Sequence, residues 1–89
     1  MKVTIYSKTD CPWCDKAKAL LTEKNISFDE LKYNIDYSRE QLAEKLPFDY
    51  NKITVPQIFF DNEHIGGYDD LIDYLKLPGV LSKVSNQRN

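Results

Sequence analysis

The sequence predicts an α/β fold with a four-stranded mixed sheet flanked by helices, in the order β-α-β-α-β-β-α. Three observations carry this prediction. Residues 2–7 alternate in polarity and are rich in β-branched side chains, which is typical of a strand. A helical pattern follows, and a second apolar stretch comes after it. Two short strand patterns then precede a last apolar helical stripe. The 89 residues suffice for one small domain, which we expect over 1–89.

The first half of the chain has the pattern of a parallel β-α-β unit. Pro12 suits the first turn of a helix, where its missing N–H costs nothing, and the helical pattern runs to about Lys24. The second strand is predicted from Phe28 to Lys32. A helix of about 12 residues between two strands fits a right-handed crossover, which makes the strands parallel.

A second helix is indicated by Ser38 and Gln41, which fit a capping box. This helix is expected to end before Pro47, because the residue before a proline disfavours helical backbone. The segment 48–53 is predicted to be an irregular loop.

The last third of the chain predicts a hairpin and a helix. Gln57 to Phe60 forms the third strand, and residues 64–65 form a short fourth strand antiparallel to it. The last helix is expected to begin at Asp69 or Asp70. Residues 80–89 are predicted to be a polar, frayed tail.

Composition excludes several classes of function. A net charge of −2 does not indicate a nucleic-acid partner, and no apolar run approaches the roughly 18 residues of a membrane span. Met1 is followed directly by strand residues, so we expect no secretory signal. The 2 cysteines are too few for a secreted disulfide framework, so a reducing cytoplasm is the expected location.

The 2 cysteines of the chain, Cys11 and Cys14, form a CxxC motif between a strand and a helix. This placement is typical of a redox dithiol. Cys11 lies at the predicted helix N-terminus, where the helix dipole and Lys8 favour a thiolate, while Asp10 and Asp15 oppose it. Cys14 lies deeper in the helix. We therefore expect Cys11 to be the attacking thiol and Cys14 the resolving thiol.

The two cysteines also admit two other interpretations. Buried cysteines can serve as small apolar side chains, although the spacing and the helix start argue against this. A structural zinc ion needs four ligands, and the chain offers the two cysteines and His64. No metal is therefore expected within one chain, while a metal or iron–sulfur cluster between two chains stays open.

Three separated motifs carry a resemblance to a known family. They are Lys8 to Cys14 (KTDCPWC), Thr54 to Pro56 (TVP) and Gly66 to Asp70 (GGYDD). In this order and at these separations, the chain resembles a glutaredoxin of the thioredoxin-fold superfamily over about 2–77. The resemblance implies a thioredoxin-like (glutaredoxin) fold. It also implies a glutathione-dependent oxidoreductase that reduces protein disulfides and protein–glutathione mixed disulfides.

The resemblance also implies a glutathione site. A cis Val55–Pro56 bond would turn the Val55 backbone toward Cys11, the N–H groups at the last helix start would bind the γ-glutamyl carboxylate, and the acidic pair would bind its ammonium. Lys8 and Lys52 would hold the glycine carboxylate, although either could be an ordinary solvated lysine. The implied site comprises Lys8, Trp13, Lys52, Thr54, Val55, Pro56, Gly67, Tyr68, Asp69 and Asp70.

Trp13 stands where tyrosine is common in this family, which keeps an aromatic rim beside the nucleophile. The segment 48–51 is unusually aromatic for the loop before the TVP motif, and we expect it to pack over the small core. His64 is expected to be exposed on its hairpin, without a role.

The resemblance implies glutathione as reductant, and disulfide-containing or glutathionylated proteins as partners, with ribonucleotide reductase as one candidate. A monomer is expected, with no nucleic acid and no membrane. Two other functions stay open: a redoxin reduced by thioredoxin reductase, and a carrier of a [2Fe–2S] cluster held by glutathione and Cys11 from two chains. An intact CxxC argues against a purely non-catalytic domain.

Overall fold

A computed structural model describes residues 2–47 and 49–81 and contains a mixed sheet with helices on both faces. The sheet order is β2-β1-β3-β4, with β1 parallel to β2 and antiparallel to β3, and β4 antiparallel to β3. The predicted fold class and element order are confirmed. The elements are β1 (Val3–Ser7), α1 (Pro12–Glu23), β2 (Asp29–Lys32), α2 (Arg39–Ala43), a 3₁₀ turn (Tyr50–Lys52), β3 (Gln57–Phe60), β4 (Glu63–Gly66) and α3 (Tyr68–Leu75).

Two hydrophobic cores lie on opposite faces of the sheet. The larger one packs α1 and α3 against β1 and β3, and its buried residues are Val3, Ile5, Ala17, Leu21, Ile26, Ile58, Phe60, Leu71, Leu75 and Val80. The smaller one lies under α2 and contains Tyr6, Tyr37, Leu42 and Phe59. Alternate residues of β1 and β3 therefore serve the two cores in turn, as the period of a strand requires. Val80, the first residue of the predicted tail, is buried, while residues 82–89 lie outside the described part.

The smaller core is tied to the end of β1 by Tyr37. The Tyr37 hydroxyl donates to the Ser7 carbonyl oxygen at 2.7 Å, and its ring meets Tyr6 edge-on at 5.0 Å. Burial, followed by the influence of Tyr33 and Tyr6, raises the pKa of Tyr37 to about 12. The hydroxyl therefore stays protonated and keeps donating at physiological pH.

The Ser7 hydroxyl belongs to a polar network between β1, β2 and α1. Glu30 Oε2 accepts from the Ser7 hydroxyl at 2.7 Å and from Lys18 Nζ at 2.8 Å. Burial alone would raise the pKa of Glu30. The hydrogen bonds from Lys18 and Ser7, together with the charges of Lys18 and Lys32, lower this pKa by more, so the net shift is downward. This network fixes the middle of α1 to the sheet.

Several element bounds differ from the sequence predictions. α2 ends at Ala43, so it is shorter than the predicted helix up to Pro47, and a 3₁₀ turn lies within the predicted irregular loop. α3 begins at Tyr68 rather than at an aspartate, because extended Gly67 takes the N-cap position. Among residues 2–47 and 49–81, no helix is long and apolar enough to span a membrane.

Replacing Glu30 with glutamine is expected to lower the free energy of unfolding at neutral pH by about 1–3 kcal/mol, since charge-assisted hydrogen bonds are lost. The folded-state pKa of Glu30 lies below its ordinary value of 4.5. Ionised Glu30 therefore stabilises the fold above that value, and the stabilisation is lost as pH falls through the folded-state pKa. Urea unfolding of wild type and variant across acidic and neutral pH measures this.

The control is Glu23→Gln at the exposed end of α1, which is expected to change the free energy of unfolding little at any pH. A difference between wild type and Glu30→Gln that stays constant as the pH is lowered would contradict the proposed contribution of the ionised network.

Candidate active site

The dithiol lies at the N-terminus of α1. Cys11 is the N-cap residue, and its sulfur accepts a hydrogen bond from the Cys14 N–H at 3.2 Å. The two sulfurs are joined as a disulfide, with the Cα atoms 5.2 Å apart. When the bond is reduced, this N–H and the helix dipole stabilise negative charge on the Cys11 sulfur. Cys14 is 1% exposed and Cys11 5%, so Cys14 is the more deeply shielded thiol, as expected.

The segment before β3 lies directly beside this sulfur. The Val55 carbonyl oxygen is 4.0 Å from Cys11 Sγ, and the Val55–Pro56 bond is cis, as the resemblance implied. Pro56 is buried, whereas Thr54 is exposed and Val55 half-buried. Residues Thr54 and Val55 are therefore at least partly accessible to solvent next to the Cys11 sulfur.

The start of α3 completes this side of the site. The Asp70 carboxylate accepts from the Gly67 N–H at 3.1 Å. A side chain at Gly67 would approach the Pro56 carbonyl oxygen within 3.5 Å, so the GGYDD segment packs against the TVP segment. Gly66 has a φ of 125°, which favours glycine. Asp69 and Asp70 are exposed at the positive end of the α3 dipole.

An aromatic rim connects the dithiol to α3. Trp13 is 53% exposed, and its ring lies 5.7 Å from the Tyr68 ring, tilted against it. Lys16 Nζ lies 4.6 Å from the centre of the Trp13 ring, a cation–π contact that the sequence did not reveal. The rim presents an aromatic surface beside the sulfurs.

A groove of about 340 Å³ opens on the other side of Val55. It brings three predicted site residues, Lys8, Thr54 and Val55, together with Arg39, which the sequence did not single out. Lys52 lies exposed at the end of the 3₁₀ turn. The groove is lined by Lys8, Tyr33, Tyr37, Arg39, Leu42, Ile53, Thr54 and Val55.

Arg39 is the principal residue that sequence reasoning missed. Its Nη2 and Nε donate to the Tyr50 carbonyl oxygen at 2.9 and 3.2 Å, and its guanidinium lies 4.9 Å from the Tyr50 ring centre. An arginine after a helix N-cap carries no signal of its own in the sequence. Tyr50 is 43% exposed, so the expectation that this aromatic loop packs over the core is wrong for Tyr50, whose ring faces Arg39 instead. Phe48 lies outside the described residues.

The expectation that His64 is exposed on its hairpin is also wrong. Its ring is half-buried against Phe59, 5.1 Å between centres, and Nε2 lies 2.6 Å from Gln57 Oε1. Burial lowers the pKa of His64, and the charge of Asp70 partly offsets this. Antiparallel pairing of β3 and β4 places this side chain over the sheet. In the described parts of the chain, no cluster of three or more His, Cys, Asp or Glu side chains could hold a metal ion.

The fold and the dithiol together define a thiol–disulfide oxidoreductase of the thioredoxin-like class. A family model described as Glutaredoxin matches residues 3–65. Glutaredoxin 1 of Rickettsia conorii is 42% identical over 82 residues, which cover 92% of this chain and 78% of that protein. Glutaredoxin 3 of Escherichia coli K12 is 47% identical over 70 residues, which cover 78% of this chain and 80% of that protein.

Solved structures agree with the sequence relatives. A crystal structure of glutaredoxin 1 from Francisella tularensis has a TM-score of 0.69 at 39% identity, covering 83% of this chain and 91% of that one. A buckwheat glutaredoxin–glutathione complex has a TM-score of 0.73 at 22% identity, covering 93% and 74%, and supports the fold. The chain belongs to the glutaredoxin family, and its CxxC pair is the redox centre of a thiol–disulfide oxidoreductase.

Replacing Gly66 with alanine is expected to destabilise the protein, because a Cβ there would overlap the Asp70 side chain and the φ of 125° is strained for alanine. Gly79→Ala is the matched control, since its φ is also positive but its surroundings are open. The control is expected to cost about 1–2 kcal/mol from backbone strain alone. Gly66→Ala is expected to cost more, as measured by urea unfolding of the oxidised proteins. Equal losses would contradict the close packing of Gly66 against Asp70.

Proposed function

We propose that the protein is a glutathione-dependent oxidoreductase that reduces protein disulfides and protein–glutathione mixed disulfides. The observation that carries the proposal is the position of the Cys11 sulfur. It lies at a helix N-terminus and 4.0 Å from the carbonyl oxygen of Val55, a residue that also lines the groove. A peptide-like ligand lying along Val55 would bring its own sulfur to Cys11.

In the first step, the Cys11 thiolate attacks the glutathione sulfur of a mixed disulfide. A Cys11–glutathione bond forms, the bond between glutathione and the substrate breaks, and its electron pair leaves with the substrate sulfur, which takes a proton from water. The thiolate of a second glutathione then attacks the bound glutathione sulfur. Oxidised glutathione leaves, and Cys11 is released as a thiolate.

Protein disulfides require Cys14. After Cys11 has attacked one substrate sulfur, the Cys14 thiolate attacks Cys11, closes the Cys11–Cys14 disulfide and releases the reduced substrate. Two glutathione molecules then reduce that disulfide. At 1% exposure, Cys14 is shielded from large substrates and positioned to reach Cys11. The roles therefore follow burial: the N-cap cysteine attacks and the shielded cysteine resolves.

The groups around Cys11 suit the functional groups of glutathione. The Val55 backbone can pair with the cysteinyl part in the manner of strand addition. The N–H groups of Tyr68 and Asp69 suit the γ-glutamyl carboxylate, and the carboxylates of Asp69 and Asp70 suit its ammonium. Lys8, which lines the groove, suits the glycine carboxylate. Arg39 lines the same groove, so we add it to this subsite.

We further propose that the protein acts as a monomer in the cytoplasm on disulfide-containing or glutathionylated proteins, with ribonucleotide reductase as one candidate substrate. Glutathione is the co-substrate in this proposal, and no metal is needed for the reaction. Coupling the assay to glutathione reductase, and separately to thioredoxin reductase, identifies the reductant.

Cys14→Ser is expected to retain reduction of a small glutathione mixed disulfide and to lose reduction of a protein disulfide, because only the second reaction needs a resolving thiol. Cys11→Ser is expected to lose both. The measurement is glutathione-dependent turnover coupled to glutathione reductase, with wild type as the reference. Loss of both activities in Cys14→Ser would contradict the assigned roles, and absence of both in wild type would contradict the proposed function.

Lys8→Gln and Arg39→Gln are each expected to raise the KM for a glutathione mixed disulfide by about 2- to 5-fold, because each removes a positive charge from the lining of the groove. Lys52→Gln is the matched comparison at the adjacent 3₁₀ turn. A rise in KM for Lys52→Gln as large as that for Lys8→Gln would add Lys52 to the subsite, as the sequence predicted. No rise for Lys8→Gln would place the glycine carboxylate elsewhere.

A further inference from the structure

A buried amide connects the hairpin to the segment beside the dithiol. Gln57 is 4% exposed, and its Nε2 donates to the Thr54 carbonyl oxygen at 3.0 Å and lies 3.5 Å from Thr54 Oγ1. Its Oε1 lies 2.6 Å from His64 Nε2. Gln57 thus joins β4 to the TVP segment through one side chain.

The orientation of this amide follows from the acceptor at one end. A carbonyl oxygen only accepts, so the nitrogen of Gln57 must face Thr54 and its oxygen must face His64. Since that oxygen also only accepts, His64 must carry a hydrogen on Nε2. The chain His64–Gln57–Thr54 therefore has a single direction of donation and a defined histidine tautomer.

Thr54 lies in a segment that no strand pairing among the described residues holds in place. Residues 53–56 lie between the 3₁₀ turn and β3, outside the strand ladder. Within residues 2–47 and 49–81, the hydrogen bonds that reach Thr54 come from the Gln57 side chain. The next residue is Val55, whose carbonyl oxygen lies 4.0 Å from Cys11 Sγ. Movement of Thr54 would therefore move the backbone next to the reactive sulfur.

We propose that Gln57, oriented by His64, is a positioning residue that holds the Thr54–Val55 backbone in register with Cys11 for a peptide-like substrate. This inference rests on the proposed glutathione-dependent function. Neither side chain is assigned contact with substrate. The role acts through Thr54, so its signature is weaker substrate binding with unchanged reactivity of the Cys11 thiol.

Gln57→Leu removes both polar groups and keeps much of the volume. It is expected to raise the KM for a glutathione mixed disulfide by about 3- to 10-fold, corresponding to the loss of roughly one hydrogen bond, with a smaller change in kcat. Alkylation of reduced Cys11 by iodoacetamide, which needs no peptide register, is expected to stay within about 2-fold of wild type. A purely structural role would leave the KM unchanged in the folded variant.

Two variants of His64 separate its hydrogen bond from its ring packing. His64→Phe keeps a ring against Phe59 but has no donor for Gln57, and is expected to raise the KM in the same direction as Gln57→Leu. His64→Gln offers an N–H donor without the ring, and its KM is expected to stay close to the wild-type value. The reverse order of the two variants would show that ring packing, and not the hydrogen bond, is what matters.

NMR provides a readout independent of activity. The chain has 1 histidine, so its ring nitrogen signals can be assigned without ambiguity. In wild type above the pKa of His64, the Nε2–H tautomer is expected, and Gln57→Leu is expected to shift the population toward a mixture. An Nδ1–H tautomer in wild type would overturn the proposed direction of donation.

The outcomes separate this inference from the proposed function. Wild-type turnover with glutathione, together with an unchanged KM in folded Gln57→Leu, would overturn the positioning role alone. Equal losses of turnover and of iodoacetamide reactivity would overturn it too, since the thiol itself would be affected. Absence of glutathione-dependent turnover in wild type would overturn both. Circular dichroism of each variant establishes that it is folded.

Discussion

The pairing of β1 with strands on both sides is the constraint on which the site depends. β1 ends just before the dithiol, and antiparallel pairing of Tyr6 with Gln57 places the start of β3 at the same edge of the sheet. Pairing of Ile58 with Gly66 adds the start of α3 to that edge, and parallel pairing of Ser7 with Lys32 adds the segment that begins the groove. Segments that are distant in sequence thus meet at the end of the sheet that holds Cys11 and the groove. A register slip of one residue would dismantle the site, because it would reverse the faces of a strand.

The two faces of the sheet support different parts of this site. The larger core packs against α1 and α3. Cys11 lies at the N-terminus of α1, and the acidic pair Asp69 and Asp70 lies at the N-terminus of α3. The smaller core lies behind the groove and contains Tyr37, whose hydroxyl bonds the end of β1. Helix N-termini favour the binding of negative charge, whereas the smaller core forms part of the wall of the groove. The groove is therefore supported by residues of the smaller core, such as Tyr37 and Leu42, which lie outside the helix that bears the dithiol.

Sequence reasoning succeeded where the signal is local. Pro12 at a helix start, the pair Ser38 and Gln41 at a capping box, and alternation in β1 each depend on neighbouring residues, and each element is present. Reasoning failed where a contact joins distant residues. Arg39 faces the groove because α2 packs near the 3₁₀ turn, and His64 is half-buried because its strand places it opposite Phe59. Neither relation leaves a periodic trace in the sequence, so each required the tertiary structure.

The TVP motif illustrates why a motif can be found without its support. Thr54, Val55 and Pro56 are adjacent, so the resemblance located them and the cis bond directly. What holds them is an amide that follows the motif and a ring on the next strand. A buried polar side chain such as Gln57 costs free energy unless its amide is satisfied at both ends. The hydrogen bonds to Thr54 and His64 meet that requirement. They also link the β3–β4 hairpin to the backbone segment beside Cys11. The cysteines of the dithiol and the side chains that form hydrogen bonds to the TVP segment thus lie in separate parts of the chain.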